Sequence, residues 1–152
     1  MVEPDPKYNN LVVAKFINQL MKKGKKFLAQ KIVYDCFDII QKKTEKNPLE
    51  VLSQALKSAS PRMETKPMRV GGATYQVPRE VQGDRQATMA MRWILGAVRK
   101  KRGKMKQKLA EEIISSAKGE GEAVRKRINI ERMADANKAF AHLARRRGPK
   151  KS

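Results

Sequence analysis

The chain has 152 residues, of which 35 are Lys or Arg and 15 are Asp or Glu, so its formal net charge is +20. This length predicts one domain with a modest core. The charge predicts a polyanionic partner, nucleic acid in the first place and an anionic membrane surface in the second. A lone cysteine, no apolar run long enough to cross a bilayer and no secretory pattern in MVEPDPKYNN argue against a disulfide scaffold, an integral membrane protein and a secreted one.

Three helices are predicted in the first part of the chain. Residues 1–10 are expected to be extended, because prolines stand at positions 4 and 6. Apolar residues then recur at helical spacing over residues 13–21, and a second apolar stripe covers residues 29–40 after the glycine of MKKGKK. Asn47-Pro48 predicts the start of a third helix, with asparagine as its cap and proline in its first turn.

Residues 62–81 lose the helical period and predict a two-stranded β-ribbon arm. Gly71-Gly72 fits a two-residue hairpin loop, because glycine accepts the positive φ that such a turn needs. Pro67 and Pro78 cannot donate to a ladder, so both strands are expected to be edges without a third strand beside them. Two interpretations of Tyr75 stay open, stacking on an exposed base and packing against the helices.

Helical spacing returns after the ribbon. Residues 87–98 and 105–117 predict a fourth and a fifth helix, and the GEGE of residues 119–122 predicts a flexible break. Asn129 is predicted to cap the last helix, which runs through MADANKAFAHLA, and residues 145–152 predict a basic solvated tail. The predicted fold is mainly α, a single-domain bundle of about six helices with a two-stranded β-ribbon arm between the third and fourth helices.

The sequence predicts neither a catalytic site nor a metal site. Cys36 and His142 are the only residues of their types and fall on different predicted helices, so no zinc set is expected. Cys36 lies on an apolar stripe, which favours a core role over a nucleophile. Glu111 and Glu112 are interpreted as solvated carboxylates that balance nearby lysines. We therefore expect a protein that is not an enzyme and uses no cofactor.

Basic residues gather in four clusters, at MKKGKK, on the ribbon, at the end of the fourth helix and around residues 125–127 with the tail. Lysines and arginines at turns and helix ends can reach a phosphate backbone without burying their charge. RNA, which is recognised by shape and through loops, suits several dispersed patches better than a duplex groove does. The residues expected to bind RNA are Lys22, Lys23, Lys25, Lys26, Arg62, Lys66, Arg79, Arg85, Arg92, Arg99, Lys100, Lys101, Arg102, Arg125, Lys126 and Arg127.

Five segments closely resemble one family, that of the seventh protein of the small ribosomal subunit, of bacterial or organellar type. They are PDPKY (4–8), KFINQLMKKGKK (15–26), SPRMETKPMRVGGATYQVPREV (60–81), AMRW (90–93) and GEGEAVRKRINIERMADANKAFAH (119–142). The match is collinear over nearly the whole chain, and RVGGATYQVP and MADANKAFAH are its most specific parts. A basic DNA-compacting protein is the alternative that composition alone allows. A membrane-surface helix is a weaker one, because no long amphipathic face carries the charge.

The resemblance implies a primary binder of small-subunit ribosomal RNA that nucleates assembly of the head (the 3′ major domain) beside neighbouring small-subunit ribosomal proteins. It also implies contact with exit-site tRNA and with departing messenger RNA. A cytoplasmic ribosome is expected, and an organellar ribosome is the alternative. The residues implied to lie near exit-site tRNA and messenger RNA are Arg69, Val70, Gly71, Gly72, Tyr75, Arg145 and Arg146.

Two departures from the family pattern stand at the ends of the sequence. Members usually begin with an arginine-rich arm before the PDP segment, whereas here MVEPDP comes first, so a short or trimmed arm is expected. The ending HLARRRGPKKS replaces the HYRW type that is common in bacterial members. Its extra charge is hypothesised to touch RNA.

Overall fold

The computed structural model describes residues 2–146, with side chains described as far as Leu143. Between α3 and α4 lie two strands, β1 (Met63–Val70) and β2 (Ala73–Glu80), which pair antiparallel. The mainly α fold and the place of the ribbon are therefore as predicted. The helices are α1 (Leu11–Leu20), α2 (Lys26–Thr44), α3 (Pro48–Ala59), α4 (Gly83–Arg99), α5 (Met105–Ala117), α6 (Glu122–Ala136) and α7 (Ala141–Arg146), with a 3-10 turn at Lys138–Phe140.

One apolar cluster holds the first five helices together. The cluster includes Phe16, Phe37, Leu52, Ile94 and Ile113, one residue from each helix, all buried. α5 packs against α2, α3, α4 and α6. The helical spacing of apolar residues predicted most of this core, and burial of that area supplies its main stabilisation. The core position expected of the cysteine is confirmed, and burial raises the pKa of the Cys36 thiol well above its ordinary value.

The helix cap and the hairpin turn form where the sequence predicted them. Asn47 caps α3, because its Oδ1 accepts a hydrogen bond from the Leu49 N–H at 2.9 Å. The ribbon turns at Gly71 and Gly72, whose φ angles are 58° and 85°. Two positive φ values define the type I′ turn that matches the twist of a hairpin. The strands have no third partner within residues 2–146.

The N-terminal segment contains a turn at residues 6–8, so the expectation of an extended chain over residues 1–10 is wrong there. Asp5 is 2% exposed, and its carboxylate accepts hydrogen bonds from the N–H groups of Lys7 and Tyr8 and from the Tyr34 hydroxyl, the last at 2.6 Å. Proline fixes φ at a value that turns also use, so Asp-Pro fits a turn as well as an extended chain. Burial first, and then the bond to Asp5, raise the pKa of Tyr34 to about 12.

α6 begins at Glu122, so the prediction of Asn129 as its cap is wrong. The cap comes instead from α5, where Glu112 Oε2 accepts a hydrogen bond from the Ala123 N–H at 3.3 Å. Gly121, at φ 93°, allows this approach, because a Cβ there would lie 2.7 Å from Glu112 Oε2. Asn129 is exposed in mid-helix. A cap that lies outside the local sequence cannot be recognised from local capping residues.

The predicted last helix is divided in two. α6 ends at Ala136, and Asn137 Nδ2 donates to the Met133 carbonyl at 2.9 Å. Asparagine disfavours a helix interior because its side chain competes for backbone partners in this way. The 3-10 turn and α7 follow, so the basic tail predicted from residue 145 starts within a helix, and residues 147–152 lie outside the described residues.

Glu112 is buried, which contradicts its interpretation as a solvated carboxylate. It is 1% exposed, and Lys101 Nζ and Ser116 Oγ lie 3.2 and 3.3 Å from its oxygens. Glu111 is exposed, as expected, with Lys43 Nζ at 3.9 Å. Helical spacing places Glu111 opposite the apolar stripe of α5 and Glu112 beside that stripe, three residues after Leu109. Only the packing of α5 against the start of α6 shows that Glu112 is buried.

We predict that Glu112→Ala lowers the free energy of unfolding by about 1–3 kcal/mol, because it leaves buried donors without their acceptor. The control is Glu111→Ala on the same helix, which should change that free energy by less than about 0.5 kcal/mol. Urea unfolding followed by circular dichroism measures both variants. Equal losses in the two variants would contradict a special role for Glu112.

Candidate nucleic-acid interface

The lysines of MKKGKK meet the end of α4 at one cleft, here called the loop cleft. Its volume is about 350 Å³, and the aliphatic side chains of Leu20, Leu28 and Ile32 form part of its wall. Arg99 reaches this side of the bundle from α4 and donates to the Gln19 carbonyl at 3.3 Å. The basic residues that line the loop cleft are Lys22, Lys23, Lys25 and Arg99. Clusters far apart in sequence thus share one surface.

A second cleft lies between α4 and α6 and is here called the α4–α6 cleft. Its volume is also about 350 Å³, and it brings the cluster at the end of α4 to the cluster of α6. Trp93 supplies its aromatic wall and is half-buried. The residues that line it are Arg92, Trp93, Gly96, Ala97, Lys100, Glu122 and Lys126. Three of the four predicted basic clusters therefore converge along α4.

A buried carboxylate fixes two arginines at the base of the ribbon. Glu64 Oε1 and Oε2 accept from Arg85 NH2 and Nε, both at 3.0 Å, and Oε2 also accepts from Arg79 Nε at 3.2 Å. Hydrogen bonds from Arg85 above all, and then the charge of Arg79, hold the pKa of Glu64 below its ordinary value of 4.5 against the opposing effect of burial. One carboxylate between two guanidinium groups leaves a net positive charge at this junction.

The ribbon is also held to the bundle by α6. Arg62 N–H donates to Glu131 Oε2 at 2.8 Å, and Arg127 NH1 donates to Glu131 Oε1 at 2.9 Å. Arg127 Nε also donates to the Ser58 carbonyl at the end of α3, at 3.1 Å. Arg127 is therefore a bridge between α3, α6 and the ribbon, in addition to its predicted part in RNA binding.

The ribbon tip projects from this base. Arg69, Gly71 and Gly72 are exposed. Tyr75 is half-buried, and its ring lies 5.1 Å from the ring of Phe140, centre to centre. The packing interpretation of Tyr75 is thus the one the structure supports. Arg145 and Arg146 lie in α7, and the structure describes their backbone but not their side chains.

Four of the predicted RNA-binding cations pair with carboxylates of the protein. Lys101 contacts Glu112, Arg127 contacts Glu131, and the two ribbon-base arginines contact Glu64. The others are exposed on the surface: Lys22, Lys23, Lys25, Lys26, Arg62, Lys66, Arg92, Arg99, Lys100, Arg102, Arg125 and Lys126.

Sequence reasoning missed three residues of this site. Phe27 is 88% exposed among lysines at the start of α2, and aromatic faces of this kind stack on bases. Its place off the apolar stripe of α2 was a usable signal. Trp93 and Glu64 gave no comparable signal, because only the packing of α4 against α6, and of the ribbon against α4, shows what surrounds them.

These features define a class of protein, one that presents clusters of exposed cations on a helical scaffold, as nucleic-acid-binding proteins typically do. Within the described residues no group of His, Cys, Asp and Glu is arranged to hold a metal ion. No helix among them has the length and apolar character that crossing a membrane requires.

Comparison with known proteins defines the family. The family described as ribosomal protein S7p/S5e matches residues 1–138, and the chain belongs to it. The small ribosomal subunit protein uS7 of Thermotoga maritima is 54% identical over 142 residues, which are 93% of this chain and 92% of that protein. The uS7 protein of Pelotomaculum thermopropionicum is 55% identical over 142 residues, covering 93% and 91%.

Membership confirms the family resemblance and the ribosomal-protein interpretation, and with it the expectation of a protein that is not an enzyme. The DNA-compacting alternative is left without support.

We predict that Glu64 stabilises the protein at neutral pH and that this contribution is lost in acid. Its lowered pKa means that it stabilises the fold above its ordinary pKa of 4.5 and loses that contribution as the pH falls through the folded value. Glu64→Gln should therefore be less stable than the parent at neutral pH, and the difference should shrink on acidification. Thermal melts across this range measure it. A difference that stays constant with pH would contradict the ion-pair account.

Proposed function

We propose that this protein is a primary binder of small-subunit ribosomal RNA, that it holds the head domain of that RNA through the loop cleft, the α4–α6 cleft and the ribbon base, and that it nucleates assembly of the head. The relatives named above favour a cytoplasmic ribosome of bacterial type over an organellar one. Its other partners are neighbouring small-subunit ribosomal proteins.

Three basic clusters converge along α4, and this convergence is the main support for RNA binding. A single run of charge is usually a solvated helix face, but here cations from the α1–α2 loop, α4 and α6 line two clefts. Their helices share one apolar core, so the backbone positions that carry these cations are held at fixed separations. A rigid, multi-point array of this kind suits a folded RNA, whose phosphates also have fixed positions.

The ribbon tip is assigned to exit-site tRNA and departing messenger RNA. Its base is held by Glu64 and Glu131, whereas Arg69, Gly71 and Gly72 extend away from the core and are exposed. The double-glycine turn carries no side chain, so its backbone can approach RNA closely. Arg69 supplies charge beside it. Arg145 and Arg146 are proposed to extend this contact from α7.

The first test removes charge from the loop cleft. A variant with Lys22, Lys23, Lys25 and Lys26 changed to Gln should bind a head-domain ribosomal RNA fragment at least about tenfold more weakly, since each phosphate contact contributes through counterion release.

The matched control changes Lys42, Lys43, Lys46 and Lys57 to Gln, which removes the same charge from exposed positions outside the predicted clusters. Filter binding with duplex DNA as competitor measures both variants. Equal losses would mean that net charge alone drives binding, and the loop cleft would then have no part in RNA recognition.

The second test replaces Arg69–Thr74 with a short Gly-Ser turn. The exposed tip makes little contribution to the core, so the melting temperature should change by no more than a few degrees, and head-domain affinity should fall only slightly. Retention of exit-site tRNA by ribosomes that carry the variant should decrease. Unchanged tRNA occupancy would show that the tip is only an assembly anchor, and a large drop in melting temperature would show that it is structural.

A further inference from the structure

The α4–α6 cleft has the composition of a receptor for a single nucleotide, not only of a basic patch. We propose that it takes one unstacked, extruded base of the bound RNA, with the flanking phosphates held at its rim. This inference rests on the proposed RNA-binding function and makes it specific to one cleft. The cleft volume, about 350 Å³, is at the lower end of the range for small-molecule sites, which suits one base rather than a longer segment.

Trp93 provides the stacking face. It lines the cleft and is half-buried, so one part of the indole packs against the core while another part faces the opening. A ring held in this way loses little side-chain freedom when a base stacks on it. Single-stranded bases stack on such rings in RNA complexes, because every base has a π-face.

Gly96 leaves the cleft open. It lies in α4 beside Trp93 and lines the cleft, and a Cβ built there would have no neighbouring atom within 4 Å. Glycine in a helix interior costs roughly 0.5–1 kcal/mol relative to alanine, so its presence here is not explained by helix formation. Because a Cβ at this position meets no atom, a larger side chain would extend into the cleft and occupy the space of a base.

The rim carries three cations from two helices. Arg92 and Lys100 come from α4, and Lys126 comes from α6. All three are exposed, so each can bind a phosphate without losing its hydration entirely. A base that leaves its stack carries its own phosphates on either side, and cations on both walls of the cleft match that arrangement.

Glu122 gives the cleft a preference among bases. It is the acidic residue of the lining, and a carboxylate accepts hydrogen bonds from the amino group of a base. Adenine, cytosine and guanine present such a group and uracil does not. The predicted ligand is therefore an unpaired nucleotide with an amino-bearing base.

The experiment uses the chain's only tryptophan, Trp93, as the reporter. The intact protein is titrated with a head-domain ribosomal RNA fragment, and tryptophan fluorescence and affinity are recorded together. Stacking predicts strong quenching that saturates with binding. Gly96→Leu should abolish the quenching and weaken binding on the order of tenfold, with the salt dependence of binding unchanged.

The control is Gly83→Leu, the same substitution at the start of the same helix, where a Cβ also meets nothing within 4 Å. It should keep both the quenching and the affinity.

RNA binding without any change of Trp93 fluorescence in the parent protein would overturn the base receptor while leaving the proposed function intact. The same holds if Gly96→Leu and Gly83→Leu bind equally well, with thermal melts showing both to be folded. Failure of the parent to bind the fragment at all would overturn the proposed function as well. Glu122→Gln is compared with the parent protein on RNA fragments that carry adenine or uracil at the unpaired positions that the bound protein protects. The variant should show a smaller preference for adenine. An unchanged preference would remove Glu122 from the account.

Discussion

A net charge of +20 opposes folding, and the structure depends on a few buried carboxylates that accept hydrogen bonds where its elements meet. Asp5, Glu64 and Glu112 are the buried carboxylates of the described chain, and each accepts hydrogen bonds from at least two donors. A buried charge is tolerated only when it is hydrogen-bonded or paired in this way. Each one also lies where elements meet. Asp5 joins the N-terminal turn to α2, and Glu64 joins the ribbon to α4. Glu112 joins α5 to α6 and to the chain that follows α4.

This arrangement separates stability from binding. The apolar core and the three carboxylates hold the helices and the ribbon in place, so most of the cationic side chains remain on the surface for a partner. Phosphates would reduce the repulsion that the free protein carries, so the bound state should be the more stable one. The Glu64 junction serves both purposes, because it anchors the ribbon and orients Arg79 and Arg85 together.

Much of this structure could be predicted from the sequence. Helical spacing located the core, its loss over residues 62–81 located the ribbon, and the double glycine located the turn. Two of the errors have determinants that are distant in sequence. Glu112 caps α6 from another helix, and the Asp5 turn closes on the Tyr34 hydroxyl of α2. The α4–α6 cleft was missed for the same reason, since Trp93 and Lys126 meet only through packing.

The central claim is that several separated clusters bind RNA phosphates at the same time. The most direct measurement is the affinity of the intact protein for a head-domain ribosomal RNA fragment as a function of salt. Each phosphate neutralised contributes about −0.7 to −0.9 to the slope of log K against log salt. Simultaneous contact through the loop cleft, the α4–α6 cleft and the ribbon base predicts a slope of several units. A slope near that of a single contact would contradict the account.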